Sequence, residues 1–148
     1  MMSNFQEKNL VVRSKIWLEL KGKPFLGQGR VDLLLAIDRR GSVIEASREL
    51  NIPYRRVRGV IREMEDGIGQ KMVITKRGGE EGGSAYITDL ARELLHCFVS
   101  LQEGIRESVD GNFQRSFGRF FDTDGQLLPI GISSLRTASI EEDDIETV

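Results

Sequence analysis

The sequence has little of several residue types, and each shortage excludes a kind of site. Its one cysteine, Cys97, leaves no disulfide within the chain, which fits a reducing compartment. Its one histidine is His96, and because neighbouring side chains on a helix point about 100° apart, these two residues alone form no metal site. No nucleophile, base and orienting acid can be grouped either. We therefore expect no metal, no cofactor and no enzymatic activity.

Long apolar segments are also absent from the sequence. No run approaches the roughly 18 apolar residues that a membrane helix needs. The opening residues, MMSNFQEKNLVV, lack the charged and apolar regions of a secretory signal. The sequence therefore predicts a soluble, cytoplasmic protein without a membrane partner.

Charge is unevenly distributed along the chain, although the formal net charge is only −2. Residues 1–77 hold 16 Lys and Arg against 9 Asp and Glu, a net of +7. Residues 78–148 hold 5 against 14, a net of −9. A basic first half indicates a localised anion-binding surface, as nucleic-acid-binding proteins have, although a role in solubility would also account for the asymmetry.

Hydrophobic periodicity predicts a mainly α protein with a small β component. Residues 12–20 alternate like a half-buried strand, with Leu18 and Leu20 on the inner face. Helices are expected over 30–39, 42–50, 53–66 and 89–121. Short strands over 72–75 and 85–87 flank a Gly-rich loop, which together predict a β-hairpin.

Residues 41–65, GSVIEASRELNIPYRRVRGVIREME, have the pattern of a helix-turn-helix. Ser42 is a suitable N-cap, and Glu45 three residues later completes a capping-box pattern. Asn51 tolerates the left-handed backbone of a tight turn, and Pro53 suits the first turn of the next helix. The second helix of this motif lies in the DNA major groove.

That second helix carries arginines on the side opposite its apolar stripe. The stripe consists of Val57, Val60, Ile61 and Met64. At about 100° per residue from Val57, Arg62 points to about 140°, Arg55 to about 160° and Gly59 to about 200°. We predict that Arg55 and Arg62 face the groove, where arginine donors can bind guanine, and that Gly59 allows close approach.

Arg56 and Arg58 lie on the two flanks of the same helix, at about 260° and about 100°. We predict that both contact the DNA backbone. The alternative is that the four arginines only solvate the helix surface.

Four further side chains are predicted to contact the DNA backbone. Ser42 and its helix N-terminus offer donors to a phosphate, and the Tyr54 hydroxyl can bond a phosphate or its ring stack on a sugar. Lys76 and Arg77, at the base of the Gly-rich hairpin, are placed to reach the backbone or a minor groove.

The long helix carries an apolar seam at the spacing of a coiled coil. After Ala91, its residues are Leu94, Phe98, Leu101 and Ile105, spaced by three and four. We predict a homodimer through this seam, and a two-fold dimer predicts an inverted-repeat operator. The alternative is that the seam packs on its own domain.

Residues 41–65 match the helix-turn-helix pattern of LysR-type regulators without a gap. The segments LELKGKPF at 18–25, RVDLLLAI at 30–37 and GGEEGGSAYIT at 78–88, together with Tyr54, more closely resemble the N-terminal domain of the ModE family of molybdate-dependent transcriptional regulators. The resemblance covers roughly residues 12–110. It implies a strand, a winged helix-turn-helix with a Gly-rich wing, and a long dimerising helix.

The sequence also departs from this family. Pro53 stands where the family usually has serine, Arg58 replaces a frequent apolar or aromatic residue, and Ala91 replaces a glycine. The family senses molybdate through C-terminal oxyanion-binding domains, and the 27 residues after position 121 contain no basic or Ser/Thr-rich repeat suited to them. The resemblance therefore implies DNA binding but not molybdate sensing.

Four segments are expected along the chain. They are an N-terminal arm over 1–11, a winged helix-turn-helix over 12–88, a dimerisation helix over 89–121 and an acidic, poorly ordered tail over 122–148.

The expected function is that of a stand-alone ModE-type transcriptional regulator with double-stranded DNA as its partner and no identified small-molecule effector. Two alternatives stay open. One is a protein-interaction module, favoured by the acidic tail and by Glu80 and Glu81 at the wing tip. The other is a sensor of an oxyanion or small molecule at a dimer interface.

Overall fold

A computed structural model describes residues 10–78 and 83–129 and is mainly helical, with two small antiparallel sheets. The elements are β1 (Trp17–Leu20), β2 (Lys23–Gly27), α1 (Gln28–Arg40), α2 (Val43–Glu49), α3 (Tyr54–Ile68), β3 (Val73–Lys76), β4 (Ser84–Ile87) and α4 (Asp89–Phe117). This confirms a mainly α fold with a small β component. Most of the predicted N-terminal arm, the hairpin tip with Glu80 and Glu81, and residues 130–148 of the predicted tail lie outside the described residues.

The chain divides into two compact units. The larger, Ser14–Glu107, contains both sheets, α1 to α3 and most of α4. The smaller combines Met1–Arg13 with Ser108–Val148, of which the structure describes 10–13 and 108–129. Over the described part of the chain, no helix is long and apolar enough to cross a membrane.

The first sheet is a hairpin that the sequence only half predicts. Its side chains alternate in exposure as expected, but β1 begins at Trp17 and not at residue 12. Lys21 and Gly22 adopt left-handed φ angles of 53° and 75°, as a tight hairpin turn requires. β2 was not predicted because Pro24 reads as a strand breaker. It pairs with Glu19 beside a register shift, where a proline without an N–H is tolerated.

The helix-turn-helix segment follows the predicted start and stop signals. α1 ends at Gly41, whose φ is 66°, and the Ser42 hydroxyl accepts the Glu45 N–H at 3.2 Å. The Glu45 carboxylate accepts from Arg48 at 2.9 Å instead of returning to the cap, so the capping box is only half formed. Asn51, with a φ of 53°, makes the turn into α3.

The core of the larger unit is formed by the helices together with residues of β2, β3 and β4. Its most deeply buried side chains are Leu26, Leu34, Ile37, Val57, Met64, Met72 and Phe98. The predicted buried stripe of α3 is confirmed. Helical spacing from Val31 and Leu34 predicts that Leu35 lies on the inner face of α1, but Leu35 is 44% exposed.

The second sheet pairs β3 with β4 in the register Val73↔Ile87 to Lys76↔Ser84. It is attached to the end of α1, since the Ala85 N–H donates to the Gly41 carbonyl at 2.8 Å. The first strand begins one residue later than predicted, at Val73, and continues to Lys76.

α4 begins after Thr88, whose hydroxyl accepts the Ala91 N–H at 3.2 Å, and Thr88 is therefore the cap. The helix ends at Phe117 and not at 121, and a 3-10 turn follows over Gly118–Phe120. Arg92 joins α4 to α1 through two hydrogen bonds to the Asp38 carboxylate, at 2.7 and 2.8 Å.

Residues 121–129 form a hydrogen-bonded turn. One Asp122 oxygen accepts the backbone N–H groups of Asp124 and Gln126, at 2.9 and 2.8 Å. Such a local bond favours a turn, and Phe121 forms an antiparallel bridge with Leu127. The first residues of the predicted tail, up to 129, thus contain local hydrogen bonds, and the poor order of the tail stays a prediction.

Candidate nucleic-acid interface

The outward surface of α3 carries four exposed arginines, Arg55, Arg56, Arg58 and Arg62. Among the residues that the structure describes, none of their guanidinium groups forms an ion pair. All four arginines of α1 and α2, by contrast, pair with glutamates: Arg30 with Glu63, Arg39 and Arg40 with Glu49, and Arg48 with Glu45. The positive charge on α3 is therefore open to a ligand.

Two acids of α3 are engaged by other parts of the domain. Glu63 is held by α1. Glu65 accepts the backbone N–H groups of Met72 and Val73 at 3.0 and 3.2 Å, and its other oxygen accepts from Lys71 at 3.2 Å. Burial alone would raise the pKa of Glu65, but these three donors together hold it below its ordinary value.

A groove of about 530 Å³ separates the beginnings of α2 and α3 from the β3–β4 hairpin, and we call it the hairpin groove. Five of the predicted site residues line it: Ser42, Tyr54, Arg58, Lys76 and Arg77. Hydroxyl, ammonium and guanidinium groups are the donors that bind phosphate oxygens. The groove thus gathers, from three elements, side chains that the sequence predicted separately.

Arg62 lies farther along α3, in a smaller groove of about 270 Å³. Arg58 also lines this groove, together with Glu65, Asp66 and Lys71. Arg62 is thus exposed but has carboxylates as neighbours, and Arg58 shares this groove with it.

The remaining predicted residues of α3 lie elsewhere on its surface. Arg55 is exposed on the outward side, and a Cβ added to Gly59 would meet no atom within 4 Å. Arg56 lies on the flank opposite the hairpin groove, beside β1. These orientations agree with the helical spacing, whereas contact with DNA stays a prediction.

The predicted dimerisation residues do not share one surface. Phe98 is 1% exposed and belongs to the core of its own domain, so a partner cannot reach it without unpacking that core. Leu94 and Ile105 are half-buried, and Leu101 is 43% exposed. Periodicity alone does not distinguish a side chain buried in its own domain from one facing a partner. For this reason the predicted dimer seam included Phe98.

Sequence reasoning also missed Leu90, which is 39% exposed at the start of α4. At about 100° per residue, Leu90, Leu94 and Leu101 lie within about 40° of one another. These three residues form the exposed stripe of α4. Heptad spacing of four, three and four residues, counted from Leu90 instead of Ala91, leads to Leu94 and Leu101 and would have indicated this face.

No His, Cys, Asp or Glu side chains within residues 10–78 and 83–129 come together in groups of three that could hold a metal ion. The side chains that the hairpin groove gathers from the predicted site are hydroxyl, ammonium and guanidinium groups.

Comparisons with known proteins give partial matches. No protein-family model matches the chain. It is 29% identical to the molybdenum-pterin-binding protein MopB of Rhodobacter capsulatus over 91 residues, which are 62% of this chain and 33% of MopB. The corresponding protein MopA of the same organism is 28% identical over 92 residues, 62% of this chain and 35% of MopA.

The molybdenum transport protein ModE of Azotobacter vinelandii is 27% identical over 85 residues, 57% of this chain and 32% of ModE. The chain therefore spans about a third of the length of the curated relatives it matches. These similarities support a relationship to ModE and the Mop proteins over the matched part of the chain.

Proposed function

We propose that this protein is a DNA-binding transcriptional regulator whose helix α3 enters the major groove. The observation that carries the proposal is the surface of α3, with four exposed arginines that have no acidic partner among the described residues. A major groove about 12 Å wide accepts one helix, and arginines on such a helix bind guanine edges or phosphates.

The elements around α3 support a winged helix-turn-helix arrangement. α2 and α3 are joined by a tight turn, and the β3–β4 hairpin, which follows α3 in the chain and borders a groove with it, is suited to act as a wing. In this arrangement the hairpin groove receives one sugar–phosphate strand, bound by Arg58 of α3 and by Lys76 and Arg77 of the hairpin.

We further propose a homodimer through the exposed stripe of α4, extended by Ile105. Leu90 and Leu101 are exposed on one face of the helix, with the half-buried Leu94 between them, and exposed apolar side chains of this kind are typical of an interaction surface. A two-fold axis at this stripe would place two α3 helices on successive major grooves and would select an inverted-repeat operator.

The relatives support a regulatory role connected with molybdenum. One of them is named for molybdenum transport and two for binding molybdenum pterin. We propose that the genes regulated by this protein are also connected with molybdenum. We further propose that the matched segment binds DNA, because its arginine surface suits that ligand.

Fluorescence anisotropy with a labelled mixed-sequence duplex, measured over a salt series, tests the proposal. Affinity should fall steeply with salt, because bound phosphates release counterions. The double variant Arg55→Ala with Arg62→Ala should lose at least about tenfold in affinity, since a good arginine–guanine contact contributes about 1–3 kcal/mol. A wild-type protein that fails to bind duplex DNA at low salt would contradict the proposal.

A matched control removes two exposed arginines from α4, with Arg106→Ala and Arg115→Ala. It lowers the net charge equally but leaves α3 intact. Its affinity should stay close to that of the wild type, and an equal loss in both double variants would show that only overall charge matters.

A further inference from the structure

A second groove borders α3 on the flank opposite the hairpin. It lies between β1 and α3 and has a volume of about 520 Å³. Lys15, Trp17 and Arg56 line it, with Leu26 and Val60 among its apolar residues. We call it the β1 groove, and Arg56 is its one lining residue to which a role in DNA binding is given above.

Trp17 is the only tryptophan in the chain and stands at the β1 groove with 56% of its surface exposed. Its strand partner is Gly27, which has no side chain to crowd it. A Cβ at position 27 would lie 3.3 Å from the Trp17 Cβ, closer than most side-chain contacts. Its indole N–H donates to Glu19 at 3.0 Å. The side chain is therefore held in place on the strand while its ring stays accessible.

The charges of the β1 groove are not all available to a ligand. Arg30 also lines it, but its guanidinium donates to the carbonyls of Pro24 and Phe25 and to Glu63, and the side chain is only 17% exposed. Lys15 and Arg56 are exposed and have no ion-pair partner in the described part of the chain.

Two open cations beside an accessible indole form a surface complementary to an anion with apolar surface next to it. The sugar–phosphate backbone of a nucleic acid has this chemistry: phosphates attract lysine and arginine, and aromatic rings pack against the sugar and base surfaces.

The position of the groove selects one particular strand. Residues two apart on a helix point about 160° apart, so Arg56 and Arg58 face opposite flanks of α3. Arg58 lines the hairpin groove and Arg56 lines the β1 groove. A major groove is walled by a sugar–phosphate strand on each side, about 12 Å apart, and a helix lying in it faces one strand on each flank.

We propose that the β1 groove binds the second sugar–phosphate strand of the duplex that α3 enters, with Lys15 and Arg56 on its phosphates and Trp17 against a deoxyribose. This inference rests on the proposed function. In this arrangement the β1–β2 hairpin contacts DNA directly. α3 lies between two hairpins, each of which contacts one sugar–phosphate strand.

The experiment uses two readouts on the full chain with a fluorescein-labelled mixed-sequence duplex of two helical turns. Anisotropy of the label reports binding by any surface. Emission of Trp17, and its quenching by acrylamide, reports the β1 groove alone because the chain has no other tryptophan. Saturation with the duplex should protect Trp17 from acrylamide.

The double variant Lys15→Gln with Arg56→Gln should lower the slope of log affinity against log salt by roughly 2, since each phosphate contact contributes about 0.9. The control Lys21→Gln with Lys23→Gln removes two charges from the same hairpin at its turn, where both residues line a different groove beside Glu63 and Asp66. Its slope should equal that of the wild type.

The inference would be overturned if anisotropy shows DNA binding but acrylamide quenches Trp17 equally with and without duplex. Equal salt slopes in the two double variants would overturn it as well. Absence of any anisotropy change with the wild type would overturn the proposed function as well. If circular dichroism shows that the Lys15 and Arg56 variant is misfolded, Lys15→Gln alone should lower the slope by about 0.9.

Discussion

The guanidinium of Arg30, in α1, donates a hydrogen bond to the carboxylate of Glu63, in α3, at 2.7 Å. Glu65 similarly accepts hydrogen bonds from residues 71–73. Through Glu63 and Glu65, α3 is therefore held against the rest of the domain. The arginines of the same helix are left open. Two of the three acids of α3 thus bond to their own domain, whereas its four arginines are exposed and have no ion-pair partner among the described residues.

Replacing Glu65 by glutamine should destabilise the domain. In the wild type the Glu65 carboxylate accepts hydrogen bonds from two backbone N–H groups and from Lys71. The variant loses the negative charge, although its amide oxygen can still accept a hydrogen bond. We expect the free energy of unfolding at neutral pH to fall by about 1.5 kcal/mol, the lower end of the range for hydrogen bonds to a charged group, because the amide oxygen keeps part of the bonding. Urea denaturation measures this difference.

The same substitution makes a prediction about pH. Because folding lowers the pKa of Glu65, its contribution is fully present above the ordinary carboxyl pKa of about 4.3 and is lost as pH falls through the lowered folded value. The stabilities of wild type and variant should therefore converge in acid. Asp66→Asn, at an exposed neighbour, is the control, and it should leave both the stability and its pH dependence unchanged.

Gly59→Ala should change stability and DNA binding in opposite directions. The added methyl group meets open space, and alanine favours a helix over glycine by about 0.5–1 kcal/mol, so the variant should unfold at higher urea. If α3 enters the major groove, the methyl group lies between helix and DNA and should weaken affinity. Gly104→Ala, at an open position of α4, is the control: it should also raise stability but should leave DNA affinity unchanged.

The helical parts of the fold were predictable because their signals are local. The stripe from Val57 to Met64 follows the helical period, and Gly41 and Asn51 adopt the left-handed backbone that their positions required. β2 was missed because Pro24 is tolerated only beside an irregular register, which depends on its partner strand.

The candidate site was predictable in its residues but not in its electrostatics. The sequence placed the arginines of α3 outward, yet it did not show which arginines of the chain are neutralised. Arg30 and its partner Glu63 are 33 residues apart, and Arg92 and Asp38 are 54 apart. Such pairs are set by tertiary packing, and so are both grooves beside α3.

Phe98→Ala tests whether this residue is part of the core. A fully buried phenylalanine replaced by alanine leaves a cavity and should lower the free energy of unfolding by about 3–5 kcal/mol. Thermal or urea denaturation of a dilute sample gives the value. Val99→Ala, at the adjacent and 39% exposed position, should cost far less. Similar losses in the two variants would place Phe98 outside the core.

Leu101→Glu should separate dimer formation from folding. Leu101 is 43% exposed, so the charge is tolerated by the isolated chain, but it would be buried without a partner in a dimer that uses the exposed stripe of α4. Light scattering at micromolar concentration should give twice 16.7 kDa for the wild type and 16.7 kDa for the variant, with unchanged circular dichroism. Ser100→Glu, at an exposed neighbour off the stripe, should remain dimeric. A wild-type mass of 16.7 kDa, or a dimeric Leu101→Glu variant, would remove this stripe as the interface.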